Sequence, residues 1–196
     1  GLSFLSGGWV QASKYRFEMS AGGNTKTFSV DSSLSNIGRK ALRQYYGTDA
    51  QLIWKHGWGK TEVRGEYWTG TQPGTVETTV NPGALPVLPM YIREFDGAFF
   101  YFLQNIVNEK WEVMAKYDWY DPNTKVSGTE IGAAGTNLTP ADIRYSTIGV
   151  GFTHYFTDHL KLLFYYDMVE NEKTQLPGFV SDIKDNIFTC RMQLRF

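Results

Sequence analysis

The chain has 196 residues, ordinary for one domain, and no shift in composition divides it, so residues 1–196 read as a single domain. With 19 basic and 20 acidic residues the formal net charge is −1, which excludes a global field for recruiting nucleic acid or an anionic membrane surface. Aromatic residues at 16% and 20 glycines favour strands and turns over a helical bundle, and the lone Cys190 excludes a disulfide framework and a cysteine-rich metal site.

The opening Gly1-Leu2-Ser3-Phe4 lacks the basic and apolar regions of a signal peptide. Either a signal has been removed or the chain begins partway through a longer protein. Residues 2–9 read as a strand whose faces are unassigned. After a long loop, residues 47–55 set Ala50, Leu52 and Trp54 against Asp49, Gln51, Ile53 and Lys55. Residues 61–69 set Val63, Gly65 and Tyr67 against Glu62, Arg64, Glu66 and Trp68. Both alternations have the period of two expected of a half-buried strand. Residues 93–104 are apolar on both parities through Ala98-Phe99-Phe100-Tyr101-Phe102-Leu103 and read as a strand without assignable faces. Residues 111–120 set Trp111, Val113, Ala115, Tyr117 and Trp119 against Glu112, Met114, Lys116, Asp118 and Tyr120. Residues 144–156 set Ile148, Val150, Phe152 and Phe156 against Tyr145, Thr147, Thr153, Tyr155 and two small residues, Gly149 and Gly151, that leave space on the polar side. Residues 160–168 and 186–196 repeat the pattern, with Phe188, Cys190, Met192, Leu194 and Phe196 sharing the apolar parity of the last strand.

That makes about eight strands, most near the roughly 9 to 11 residues that cross a bilayer as a tilted strand. Their connections alternate between tight and long. The tight ones lie at His56-Gly57-Trp58-Gly59, Val107-Asn108-Glu109 and Thr157-Asp158. The long ones, residues 10–44, 70–92, 121–143 and 169–185, are rich in Gly, Pro, Asn, Ser and Thr. No run approaches the roughly 18 apolar residues of a membrane-spanning helix, but a transmembrane barrel has the observed pattern of short turns, long loops and alternating strands. The expected fold is all-β, a transmembrane antiparallel β-barrel. Trp54, Trp58, Trp111, Tyr155 and Phe156 fall toward the short turns. Tyr45, Tyr46, Tyr67, Trp68, Trp119 and Tyr120 fall toward the long loops, giving two aromatic belts.

Several segments resemble a known family: Tyr45-Tyr46-Gly47-Thr48-Asp49-Ala50-Gln51-Leu52, Arg64-Gly65-Glu66-Tyr67-Trp68-Thr69-Gly70-Thr71-Gln72-Pro73-Gly74, Lys116-Tyr117-Asp118-Trp119-Tyr120-Asp121-Pro122-Asn123, Ala141-Asp142-Ile143-Arg144-Tyr145, Tyr165-Tyr166-Asp167 and Asp185-Asn186-Ile187-Phe188-Thr189. They are similar to the C-terminal half of Bacteroidetes outer-membrane porins of the phosphate-selective porin O and P superfamily. The resemblance implies a barrel of about sixteen strands with its N-terminal half absent here. A closed barrel of about eight strands is the arithmetical alternative. The resemblance also implies the outer membrane of a Gram-negative bacterium, contact with outer-membrane lipids and lipopolysaccharide, and assembly as a homotrimer. Phe196, ending an alternating strand, resembles the C-terminal aromatic signal read by outer-membrane assembly machinery.

The inward parity defines the expected pore lining: Asp49, Lys55, Glu62, Arg64, Glu66, Glu112, Lys116, Asp118, Lys161, Asp167, Arg191, Gln193 and Arg195. The signs balance, and only Arg191 and Arg195 form a short basic pair. The expected function is passive diffusion of small hydrophilic solutes or ions, anions such as phosphate among them. The rival reading is a non-conducting barrel that binds a partner within an envelope complex. The loop carrying Pro73, Pro82, Pro86 and Pro89 either folds inward to narrow a channel or lies exposed. His56, His154 and His159 are too scattered for a metal motif, no nucleophile or phosphate-loop motif occurs, and neither an enzyme nor a cofactor is expected.

Overall fold

The computed structural model describes residues 1–22, 25–79 and 88–196. Ten strands follow one another: β1 (Leu2–Val10), β2 (Arg16–Gly22), β3 (Thr25–Asp31), β4 (Lys40–His56), β5 (Gly59–Gly74), β6 (Met90–Ile106), β7 (Asn108–Asp121), β8 (Tyr145–Tyr155), β9 (Leu160–Asn171) and β10 (Ile187–Leu194). Eight of them form a continuous antiparallel path, β1-β4-β5-β6-β7-β8-β9-β10, in an open sheet whose edges are β1 and β10. No α-helix occurs among the described residues, and no helix is long and apolar enough to cross a membrane.

The alternating residues form strands because one face of each is rich in aromatic and β-branched side chains that pack against cross-strand neighbours. Turns of one to four residues close one end of the sheet. Gly57 and Trp58 join β4 to β5, and Gly59, at φ 140°, sits so close to Asn105 that a side chain would collide with it. Val107 alone joins β6 to β7 in the left-handed region, φ 65°. The ladder register is continuous. Leu52, Val63, Phe102, Ala115, Val150, Tyr166 and Phe188 are direct partners in turn across seven strands. One residue along, Gln51, Arg64, Tyr101, Lys116, Gly149, Asp167 and Ile187 pair in the same way on the opposite face.

The faces of β6 follow from this register. Ala98, Phe100 and Phe102 belong with the apolar face; Phe99, Tyr101 and Leu103 belong with the polar one. The apolar face has no covering layer: Leu52 is 55% exposed, Phe102 44% and Phe188 64%. The buried hydrophobic cluster lies elsewhere, at the long-connection end, where Phe28, Tyr91, Ile131, Leu138 and Ile143 pack with Phe17, Met19, Val126, Leu176 and Phe179.

This cap departs from the sequence reading, which places unstructured loop where β2 and β3 form a hairpin. The hairpin leaves its neighbours in sequence, β1 and β4, and β2 adds in parallel to β6 through Arg16↔Met90, Phe17↔Tyr91 and Glu18↔Ile92. It occupies the stretch of β6 that lies beyond the last partner of β7, Asp96. The far edge of β3 is closed by the β7–β8 connection: Phe28 N–H donates to Thr136 O at 3.0 Å and Asn137 Nδ2 to Phe28 O at 3.2 Å. The strands flanking the long connections are also longer than expected. β4 and β6 have 17 residues each, well beyond what the apolar band requires; the surplus of β6 carries the cap and that of β4 pairs with β1.

Arg93 anchors the cap. It and Asp142 are fully buried, with Nε 2.8 Å from Asp142 Oδ1 and Nη1 2.9 Å from Thr75 O. Asn123 Nδ2 donates to the same carboxylate at 2.8 Å, as does the Thr139 backbone N–H at 2.9 Å. The guanidinium lies 5.2 Å from the Tyr91 ring centroid and 5.4 Å from that of Phe28, so charge pair and apolar cluster are one assembly. Breaking a buried pair from one side leaves an uncompensated charge, at a cost of roughly 3–5 kcal/mol. Arg93→Met is therefore expected to open the cap to protease at markedly lower urea than the parent; equal resistance would remove Arg93 from this role.

Glu130, in the β7–β8 connection, ties the cap to the edge of β3. Burial pushes its carboxyl up, but backbone N–H groups of Lys26 and Ser127 and the Ser127 hydroxyl outweigh this and hold it below the ordinary value of 4.5. A depressed carboxyl stabilises the fold above its unfolded pKa, and that increment is lost as pH falls through the lower, folded value. Cap protection should thus decline below about pH 4.5 and decline less steeply in Glu130→Gln, as followed by amide exchange at Lys26; identical pH profiles would refute the assignment.

Candidate functional site

The register brings the sequence-derived residues onto one face. Asp49, Lys55, Glu62, Arg64, Glu66, Glu112, Lys116, Asp118, Lys161, Asp167, Arg191 and Gln193 all share the parity of Gln51 and Tyr101, and Arg195 continues it just past the end of β10. They divide into interacting groups and isolated ones.

The first group joins β4 and β5. Glu62 is 6% exposed; it accepts from Gln51 Nε2 at 2.8 Å, with Lys60 Nζ at 3.3 Å and Arg64 Nη1 at 3.9 Å. The second group joins β7 and β9. Lys116 Nζ lies 2.7 Å from Asp118 and 3.2 Å from Asp167, bridging the strands across Gly149, which has no side chain to intervene. In a third, Tyr155 OH donates to Glu112 at 3.3 Å while Lys161 Nζ lies 5.7 Å from the Tyr155 ring centroid.

Other members stand apart. Asp49 and Glu66 are direct cross-strand partners of like charge, and Lys55 faces Lys60 in the same way. Such pairs repel. The Glu66 carboxylate accepts from the Trp68 indole N–H, and Asp49 lies 3.5 Å from the amino group of Gly1. Arg191, Gln193 and Arg195 lie on the exposed edge of the sheet, and among the described residues Arg191 and Arg195 have no ion pair. Phe196 is fully exposed beyond β10.

Glycines on this face do not leave open space, contrary to the sequence reading of Gly149 and Gly151. The Tyr165 ring occupies the positions their side chains would take: Cδ2 is 2.3 Å from a Cβ built on Gly151, and the hydroxyl is 2.0 Å from one on Gly149. Gly47 plays the same part for Trp68, whose Cε2, Cδ2 and Cε3 lie at 2.7, 2.8 and 2.8 Å from its would-be Cβ. Three ring atoms at nearly equal distance mean that the indole lies flat on the glycine backbone.

A hollow of about 750 Å³ occupies the middle of the face, lined by Gln51, Arg64, Glu66, Trp68, Phe99, Tyr101, Lys116, Asp118 and Tyr120 among others. A second, of about 630 Å³, opens toward the short turns beside Lys55, Lys60, Lys110, Glu112 and Tyr155. The upper rim is built by Tyr45 and Phe95, with ring centroids 4.7 Å apart, and by the Gln72–Tyr120 hydrogen bond. Pro73 is buried within β5 and Pro89 precedes β6, whereas Pro82 and Pro86 lie outside the described residues, as does most of the proline-bearing loop. Among the long connections described, those built onto the β2–β3 hairpin form the cap.

His56 Nε2 is 3.2 Å from both Thr61 Oγ1 and Gln104 Nε2, and the His154 ring packs tilted against Trp111 with centroids 3.8 Å apart, so both serve local packing. Sequence reasoning missed Phe99 and Tyr101 as members of the polar face, because β6 is apolar on both parities. No known protein family, curated protein or solved structure matches the chain.

The Gly–aromatic contacts are testable. Gly47→Val puts two methyl groups where the Trp68 ring lies, so the near-ultraviolet circular dichroism of Trp68 should collapse and thermal stability should fall. An unchanged spectrum would show that the ring does not rest on this glycine.

Proposed function

We propose that this chain forms part of the wall of an outer-membrane pore through which small hydrophilic solutes and ions diffuse passively. The observation that carries the reading is the two-faced register across β4 to β10: an uncovered apolar band on one face and, on the other, charged groups contributed by β4, β5, β7, β9 and β10. Water penalises a broad exposed apolar face, whereas lipid accepts it. Outward-facing Trp54 and Trp111 lie toward the short-turn end and Tyr46, Tyr67 and Trp119 toward the cap, as interfacial belts require.

A lipid environment also requires every backbone group to be paired, so the open edges β1 and β10 need partners, which we assign to further strands rather than to each other. In this reading those strands complete a larger barrel, and the cap faces the exterior, where long connections belong. The mixed signs of the wall, and the pairing of Lys116 and Glu62 within it, suit a general aqueous pore better than a dedicated anion filter. Arg191 and Arg195, a basic pair that has no ion pair among the described residues, would contribute most to selectivity.

Planar-bilayer recording of the full-length protein tests this. Stepwise conductance is expected, and the Arg191→Gln, Arg195→Gln double variant should shift the reversal potential in a salt gradient toward cation preference. A correctly inserted protein that never conducts would overturn the pore; conduction with an unmoved reversal potential would remove those arginines from its lining.

A further inference from the structure

We propose that the central hollow of the polar face is a stacking path for the rings of a neutral oligosaccharide. The inference rests on the pore reading and names a substrate class for it.

Aromatic rings on this face are arranged as platforms. Trp68 lies flat on Gly47, so one face of the indole is against the backbone and the other is turned to the hollow. Its N–H is held by Glu66, which fixes the ring in that pose. One strand over, Phe99 and Tyr101 project from the same face of β6, edge to face at 5.6 Å, with the Arg64 guanidinium 4.8 Å from the Tyr101 ring centroid and the Phe99 ring lining the hollow. Further along, beyond the lining of the hollow, the Tyr165 ring spans Gly149 and Gly151, with Lys116 Nζ 5.9 Å from its centroid. From the register, the line from Trp68 on β5 to Tyr165 on β9 crosses four strand spacings and six residues, an oblique run of about 28 Å, the length of a short oligosaccharide.

Sugar rings present C–H groups on one or both faces and hydroxyls around their edges. Aromatic faces carry negative quadrupole density that attracts those C–H groups while excluding water from them. The edges need acceptors and donors beside the platforms, and both are present. Glu66, Asp118 and Gln51 supply acceptor oxygens, and Arg64 and Lys116 supply N–H groups. The ions here are largely paired with one another: Lys116 with Asp118 and Asp167, and Arg64 with Glu62. Pairing cancels the field that would hold a charged solute and leaves lone pairs and protons free for hydroxyls. An anion would gain nothing from the indole face and would meet the carboxylates of Asp49 and Glu66 at the same level.

The test uses full-length protein and two neutral trisaccharide probes, maltotriose and cellotriose, against poly(ethylene glycol) of equal hydrodynamic size, which has no ring faces. Single-channel current should show reversible blockades by at least one trisaccharide at a concentration about tenfold below that needed for the polymer. Phe99→Leu, which keeps apolar bulk but removes a ring, should raise the half-blocking trisaccharide concentration about tenfold while leaving that of the polymer unmoved. Trp68→Ala should do the same wherever it folds. Indole fluorescence of the solubilised protein gives a second readout, shifting with trisaccharide and not with polymer.

Trisaccharides that block no better than the polymer and leave fluorescence unmoved would overturn the proposal. So would a Phe99→Leu variant blocked like the parent. A protein that never conducts but keeps the fluorescence shift would sink the pore and uphold the stacking path.

Discussion

Strand register is the constraint on which everything else in this protein depends. Side chains alternate with period two, so a slip of one residue in any ladder would exchange the two faces of that strand. The ladders from β4 to β10 hold one parity throughout, apart from a local irregularity between Asn105 and Ile106. The same backbone bonds therefore place Leu52 with Phe102 and Val150 on one side, and Arg64 with Lys116 and Asp167 on the other. Neither face has a buried core of its own to enforce this order. It rests on backbone pairing, on cross-strand contacts and on the short turns, where one to four residues between strands leave little freedom to slip.

Glycine and aromatic residues reinforce that order. A sheet bends where a side chain is missing, and a large ring from the next strand covers the exposed backbone. Trp68 on Gly47 and Tyr165 on Gly149 and Gly151 do this on the polar face, and Phe100 does it over Gly65 on the apolar face. On the polar face the result is a wall of flat rings between charged groups. Structural support and a surface suited to sugar rings are thus the same arrangement, which is why the proposed path needs no special loop.

The cap follows a different physical rule. It has an apolar cluster, Phe28, Tyr91, Ile131, Leu138 and Ile143, closed around the Arg93–Asp142 pair. Its parts come from four distant stretches of chain: the hairpin β2–β3, the start of β6, the β7–β8 connection and the segment after β9. Because Asp142 is bonded by Arg93, Asn123 and Thr139 together, and Arg93 also donates to Thr75 O, the β7–β8 connection is held to β6 and, through Arg93, to the segment after β5. This folded cap sets the shape of one end of the polar face, beside the rim built by Tyr45, Phe95, Gln72 and Tyr120.

The alternation of residues in β4, β5, β7, β8, β9 and β10 was legible from sequence, as were the short turns and the membership of the charged face, because parity is a local property of each strand. Residues 93–104 were not, since both parities are apolar and only pairing with β5 and β7 assigns Phe99 and Tyr101 to the polar side. The β2–β3 hairpin was hidden because its apolar alternation, Phe17 and Met19 then Phe28 and Val30, is short and surrounded by loop composition. Sequence by itself determined that this chain is an all-β, two-faced protein and which charges share a face. Tertiary structure alone decided which of those charges pair, that Tyr165 fills the space beside Gly149 and Gly151, and that Arg93 meets Asp142. Those outcomes depend on contacts between residues far apart in the chain, which no local period encodes.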